Sequence, residues 1–96
     1  MFVINLTYQV PLETVDCFIS QHIEYLNLQY EQGNFILSGR KEPRTGGVII
    51  STLSEKADLN NILTQDPFYY EGIDHYEVIE IIPTKASAEL AFLITE

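Results

Sequence analysis

Strand-like and helix-like apolar patterns follow one another along this chain in the order β-α-β-β-α-β, an order that leaves few folds open. Residues 2–8, Phe-Val-Ile-Asn-Leu-Thr-Tyr, are rich in β-branched and aromatic side chains and predict a first strand. Pro11 ends it and introduces a helix from about Leu12 to Gln32, with Glu13 and Asp16 near the positive end of its dipole. Val15, Phe18, Ile19, His22, Leu26 and Tyr30 recur at three- and four-residue steps, one face of that helix, and Gly33 follows as its stop. Phe35–Gly39 and Val48–Leu53 predict two further strands, joined as a hairpin through a loop over 40–46 that contains Pro43 and leads into Gly46-Gly47. Ser54 is placed to cap a second helix over Glu55–Thr64, whose buried stripe is Leu59, Ile62 and Leu63. Asp66-Pro67 starts a short extra turn that Gly72 closes. Tyr76–Ile82 is the last strand, ended by Pro83, and Ala86–Leu93 forms a short helix or a frayed tail. The expectation is an α+β, ferredoxin-like protomer.

Length and charge narrow the function. The 96 residues suit one domain with a modest core, and an apolar fraction of 46% argues against disorder. Cys17 is the sole cysteine, so no internal disulfide forms and a zinc cluster lacks thiolates. His22 and His75 are far apart, with no metal-ligand spacing around either, so no metal is expected. The N-terminus opens on a strand without a basic leader, and no apolar run reaches the roughly 18 residues of a membrane span. These features predict a cytoplasmic protein with no membrane partner. A net charge of −9 with five basic residues argues against nucleic acid, whose binding draws on cations that neutralise phosphates. Arg40, Lys41 and Arg44 fall in one loop, which reads either as a solvated turn or as a site for a small anion.

The strands carry a second message. In a ferredoxin-like sheet both helices cover one face, and a strand wet on the other face alternates apolar with polar residues. Here Phe35-Ile-Leu, Val48-Ile-Ile and Ile81-Ile82 are consecutive. Both faces therefore need cover, which a second copy supplies most simply as a homodimer. A tail folded over the free face is the alternative.

Chemistry rests on a few side chains. His22 lies on the apolar face of the first helix, where an unpaired imidazole costs about 1–3 kcal/mol, so it has a partner. It reads either as a structural histidine bonded to a backbone carbonyl or as a general acid/base. Asp66 before Pro67 is a natural helix cap, which contributes about 1 kcal/mol. Ser38 beside Gly39 orients a ligand or ends strand pairing more readily than it acts as a nucleophile. Cys17 sits off the apolar stripe with no adjoining base, which predicts an inert thiol. Tyr69 and Tyr70 pack or line a cleft mouth. Gly46-Gly47 lacks the strand-to-helix context of a phosphate loop, so no nucleotide cofactor is expected.

Several of these segments, taken in order, resemble the YciI-like family: His22 in mid-helix, Phe35-Ile-Leu-Ser-Gly, Pro43-Arg-Thr-Gly-Gly-Val-Ile, Asp66-Pro67-Phe68 before Tyr-Glu-Val-Ile-Glu, and Pro83-Thr-Lys. The resemblance spans about residues 1–85. It implies a dimeric α+β barrel of ferredoxin-like protomers, each with a small cleft, and a catalytic His–Asp pair at His22 and Asp66. The matching pocket residues are Ser38, Gly39, Arg44, Gly46 and Gly47, and this chain carries Arg40 where many relatives place a proline. One member is a dehydrochlorinase of chloroaromatic breakdown. Two functions follow as expectations: a homodimeric enzyme that uses the pair for proton transfer, elimination or hydrolysis on an unknown small molecule, or a non-catalytic binding or structural module.

Overall fold

Alternation in the first strand decides the layering. In the computed structural model, which describes residues 1–94, β1 (Phe2–Tyr8) buries Phe2, Ile4 and Leu6 and leaves Val3, Asn5 and Thr7 half-covered on the other side. It is followed by α1 (Leu12–Glu31), β2 (Phe35–Arg40), β3 (Gly46–Ser51), α2 (Lys56–Leu63), a four-residue α3 (Pro67–Tyr70) and β4 (Asp74–Glu80). A 3-10 helix, Ala88–Leu93, ends the described chain. The four strands form one antiparallel sheet in the order β2-β3-β1-β4, the ferredoxin-like arrangement. None of the helices among the described residues is long and apolar enough to cross a membrane.

The core lies between the helices and one face of the sheet. Phe2, Ile4 and Leu6 of β1 meet Ile49 of β3, Phe35 of β2, Tyr25 of α1 and Leu59, Ile62 and Leu63 of α2. A smaller cluster of Val15, Phe68 and Ile73 packs α3 under the start of α1. The buried stripe of α1 is Val15, His22, Tyr25 and Gln29, rotated slightly from the one its apolar residues suggest. Tyr30, read as core, is 37% exposed and gives its hydroxyl to a hydrogen bond with Ser38. Gln29 takes the buried position because its amide oxygen accepts from Asn34 and so is satisfied there.

Element ends differ from the sequence reading for local reasons. The α2 helix starts at Lys56, so Glu55 occupies the cap position without a side-chain bond, and Ser54 lies one residue too early to cap. The hairpin loop is shorter than 40–46, because Arg40 still pairs with Gly47 and Gly46 with Thr7. β4 begins two residues before Tyr76, opposite Tyr8, and stops at Glu80 where β1 runs out; Ile81 keeps one bond, to the Met1 carbonyl.

Gly46 is where β3 presses hardest on β1. A Cβ built there would lie 1.8 Å from the Leu6 carbonyl oxygen, so the strands close up only because no side chain intervenes. Gly46→Ala is therefore expected to destabilise the fold by about 1–3 kcal/mol, read as a lowered midpoint in urea unfolding. An unchanged midpoint would show that the strand yields there without penalty.

Candidate active site

The sheet face under α1 does not close fully at the end where β1, β3 and β2 meet α3. A cleft of about 210 Å³ opens there, with Leu6, Ile19, Leu26 and Phe68 among its apolar walls. His22, Asp74, Ser38 and Arg40 supply polar groups to the same cleft.

His22 reaches the cleft because α1 places it one turn from Ile19 and Leu26, facing the sheet. Its Nδ1 lies 2.8 Å from Asp66 Oδ1, and both residues are buried. Asp66 precedes Pro67 at the start of α3, and the same Oδ1 accepts the backbone N–H of Phe68 at 3.0 Å. Its Oδ2 accepts the Tyr76 hydroxyl of β4 at 2.6 Å. An ionised carboxylate only accepts, and three donors surround this one, so the geometry assigns the imidazole proton to Nδ1. Nε2 is left with a free lone pair and, among the described residues, no protein partner. The ring cannot turn away: it stacks on Phe68 with centroids 4.0 Å apart and planes 4° from parallel. Tyr76 in turn is held as a neutral phenol, its pKa raised by burial and by the neighbouring Asp66 charge and hydrogen bond. Burial does the same to Tyr25, whose hydroxyl donates to the Ile62 carbonyl.

The other residues picked out by the sequence divide. Ser38, Gly39, Gly46 and Gly47 all line the cleft. Ser38 Oγ is bonded to Tyr30 rather than to His22, so the three do not form a Ser-His-Asp relay. Gly47 keeps the wall thin, since a Cβ there would meet the Gly39 carbonyl oxygen at 2.9 Å. Arg44 is not at the cleft. It leans on the exposed Asp16 at 2.5 Å with its guanidinium 6.0 Å from the Tyr8 ring, and Arg40 of the same loop lines the cleft instead. Strand parity explains the exchange: Arg40 ends β2 opposite Gly47, on the helix side, whereas Arg44 lies in the loop beyond pairing. Tyr69 and Tyr70 are half-exposed on α3, outside the cleft, with Tyr69 edge-on to Tyr76. Cys17 is exposed and donates to the Glu13 carbonyl of its own helix.

Sequence reasoning missed Asp74. It begins β4 on the same side as Tyr76 and Val78, and two-residue parity run backwards from those positions would have found it. It is 5% exposed, and neither carboxyl oxygen has a hydrogen-bond partner among the described residues. Burial pushes its pKa up to about 7, reinforced by the Asp66 charge and tempered by His22 and Lys41.

A buried His–Asp pair on the floor of a small cleft, in a ferredoxin-like α+β protomer, is the class of protein that fold and site define. The chain belongs to the YCII-related domain family, whose family model matches residues 1–85. Among solved structures it is similar to 5-chloro-2-hydroxyhydroquinone dehydrochlorinase (TftG) from Burkholderia phenoliruptrix AC1100, in complex with 2,5-dihydroxybenzoquinone. The TM-score is 0.69 at 16% identity, over 84% of this chain and 93% of that one, a likeness of fold. Among curated proteins no relative matches the sequence.

Asp74 makes stability depend on pH with a definite sign. Its carboxyl binds a proton more tightly folded than unfolded, so between about pH 4 and pH 7 the native state holds the extra proton. Stability from this group is complete below pH 4 and lost as pH rises through 7, on the order of 4 kcal/mol in all. Asp74→Asn is expected to remove that fall, so that urea midpoints of variant and wild type diverge towards pH 8 with the variant higher. Parallel profiles would contradict the assignment.

Proposed function

We propose that the protein is a small-molecule enzyme in which His22 is the general acid/base and Asp66 its orienting partner. The observation that carries this reading is the 2.8 Å Nδ1–Oδ1 contact, which leaves Nε2 unpartnered in a ring that lines the cleft. In the forward step Nε2 takes a proton from a substrate carbon or oxygen. The electron pair left behind expels a leaving group, giving elimination, or moves into an adjoining carbonyl, giving an enol. Asp66 stabilises the imidazolium without taking its proton, and the imidazolium then gives that proton to the leaving group or, in the second case, to the carbonyl oxygen to complete the enol. Ser38, Gly39, Gly46 and Gly47 shape the substrate's resting place, and Arg40 lines it where the resemblance had pointed to Arg44. The dehydrochlorinase activity named for TftG, an elimination of this type, supports the reading on a shared fold.

The working unit is a homodimer formed through the face of the sheet opposite the helices. Leu37, Ile50, Val3 and Ile79 stand side by side across all four strands there, an apolar row with Leu37 60% and Ile79 53% exposed. The 3-10 helix of the tail does not cover this row. Its Phe92 and Leu93 reach only the end of the face, near Met1 and Ile36. A second copy presents the same row and closes the dimeric α+β barrel.

Two experiments test these statements. On a panel of ring-sized compounds able to lose a leaving group or exchange a proton, His22→Asn is expected to lower kcat by about 10²–10⁴-fold with the far-ultraviolet spectrum unchanged. Turnover equal to wild type would remove His22 from the mechanism. In sedimentation equilibrium the wild type is expected at twice the 11.0 kDa protomer mass and Ile79→Lys at the protomer mass. A wild-type monomer would refute the dimer.

A further inference from the structure

The proton relay does not use Asp74, yet this side chain faces the same cleft with an unmet need. Among the described residues neither of its oxygens is bonded, and the residue is 95% removed from solvent, so a buried polar group waits for a donor. The cleft's size limits what can bring one. About 210 Å³ compares with the roughly 150 Å³ of an apolar cavity that holds benzene, so one six-membered ring with a few substituents fits. The walls are apolar and suit such a ring.

Among the buried groups of the cleft, those without a partner are acceptors, the two Asp74 oxygens and His22 Nε2, while the exposed Arg40 adds a donor at the end of β2. A ligand complementary to them is rich in donors. A cation fits less well than a hydroxyl, because His22 shares the space and becomes positive whenever it takes a proton. Burial also pushes the Asp74 pKa up, which weakens its pull on a cation. Lys41 and His22 offset this burial only in part, since Lys41 is hydrogen-bonded to Thr7 and the Asp66 charge acts against them.

We propose that Asp74 is a specificity-determining residue whose carboxyl accepts the O–H of a hydroxylated, ring-sized substrate and thereby sets its reacting atom against His22. The proposal rests on the acid/base reading of the same cleft and names the substrate class that reading leaves open. A hydroxyl satisfies the buried carboxyl, and a ring of the same shape without a donor leaves it unmet.

Three one-ring probes separate the possibilities: phenol, which donates; its methyl ether anisole, which does not; and benzylammonium, which is a cation. Each is titrated at pH 7 into the full chain, following amide signals of Gly46 and Gly47 and the carboxyl carbon of Asp74 by NMR. Phenol is expected to bind roughly tenfold or more tightly than anisole and to move the Asp74 carboxyl signal, which anisole leaves in place. In Asp74→Leu the preference is expected to vanish while anisole still binds. The carboxyl signal keeps the test decisive in the wild type should that variant not fold. Equal binding of phenol and anisole, no saturable phenol binding, or tightest binding of benzylammonium would each overturn the proposal. So would a preference that survives Asp74→Leu but disappears in His22→Asn, which would hand the hydroxyl to His22 and leave the acid/base reading standing. Loss of turnover in His22→Asn reports on that reading alone.

Discussion

The Asp66 carboxylate ties this site together. One fully buried side chain accepts from the imidazole of α1, from the first turn of α3 and from the phenol of β4, so three elements converge on two oxygens. A carboxylate taken out of water is tolerated only when its oxygens are fully occupied, and this one is. That requirement fixes more than a charge. It holds α3 in place although four residues are too few for a stable helix on their own. It also sets the direction in which His22 presents its second nitrogen, and the Phe68 ring carried by the same short helix clamps the imidazole face to face. Capping the helix and orienting the imidazole are here one interaction.

Two carboxyls in one neighbourhood have different surroundings. Asp66 is surrounded by donors, whereas Asp74 is surrounded by apolar walls and finds none. Environment alone divides them into an anchor that orients the imidazole and a group held near its titration point at neutral pH. An unsatisfied buried carboxyl weakens the fold, and its place on the floor of an open cleft gives that weakness a functional reading.

Much of this was legible in the sequence, and the reasons are specific. The β-α-β-β-α-β order follows from strong periodicity and from Pro11, Gly33, Gly72 and Pro83 as punctuation. His22 stood out because a polar ring on an apolar helical face needs a partner, and Asp66 because Asp-Pro is a cap. Their pairing came only from the family resemblance, since nothing local links residues 44 apart in sequence. Arg44 was named a pocket residue from the family resemblance, and loop composition could not separate it from Arg40, because strand parity decides which guanidinium faces the cleft. Asp74 stayed hidden because the last strand looked apolar only from Tyr76 onward, so its first inward-facing position went unread.

The tautomer of His22 tests the central claim most directly. Long-range 15N–1H NMR at pH 8 distinguishes a protonated ring nitrogen from a bare one, with exposed His75 as an internal reference. Ionised Asp66 as the acceptor requires the proton on Nδ1 and a free lone pair on Nε2, with the order weakened in Asp66→Asn. A His22 that carries its proton on Nε2 would contradict the account, because the nitrogen facing the substrate would then be no base.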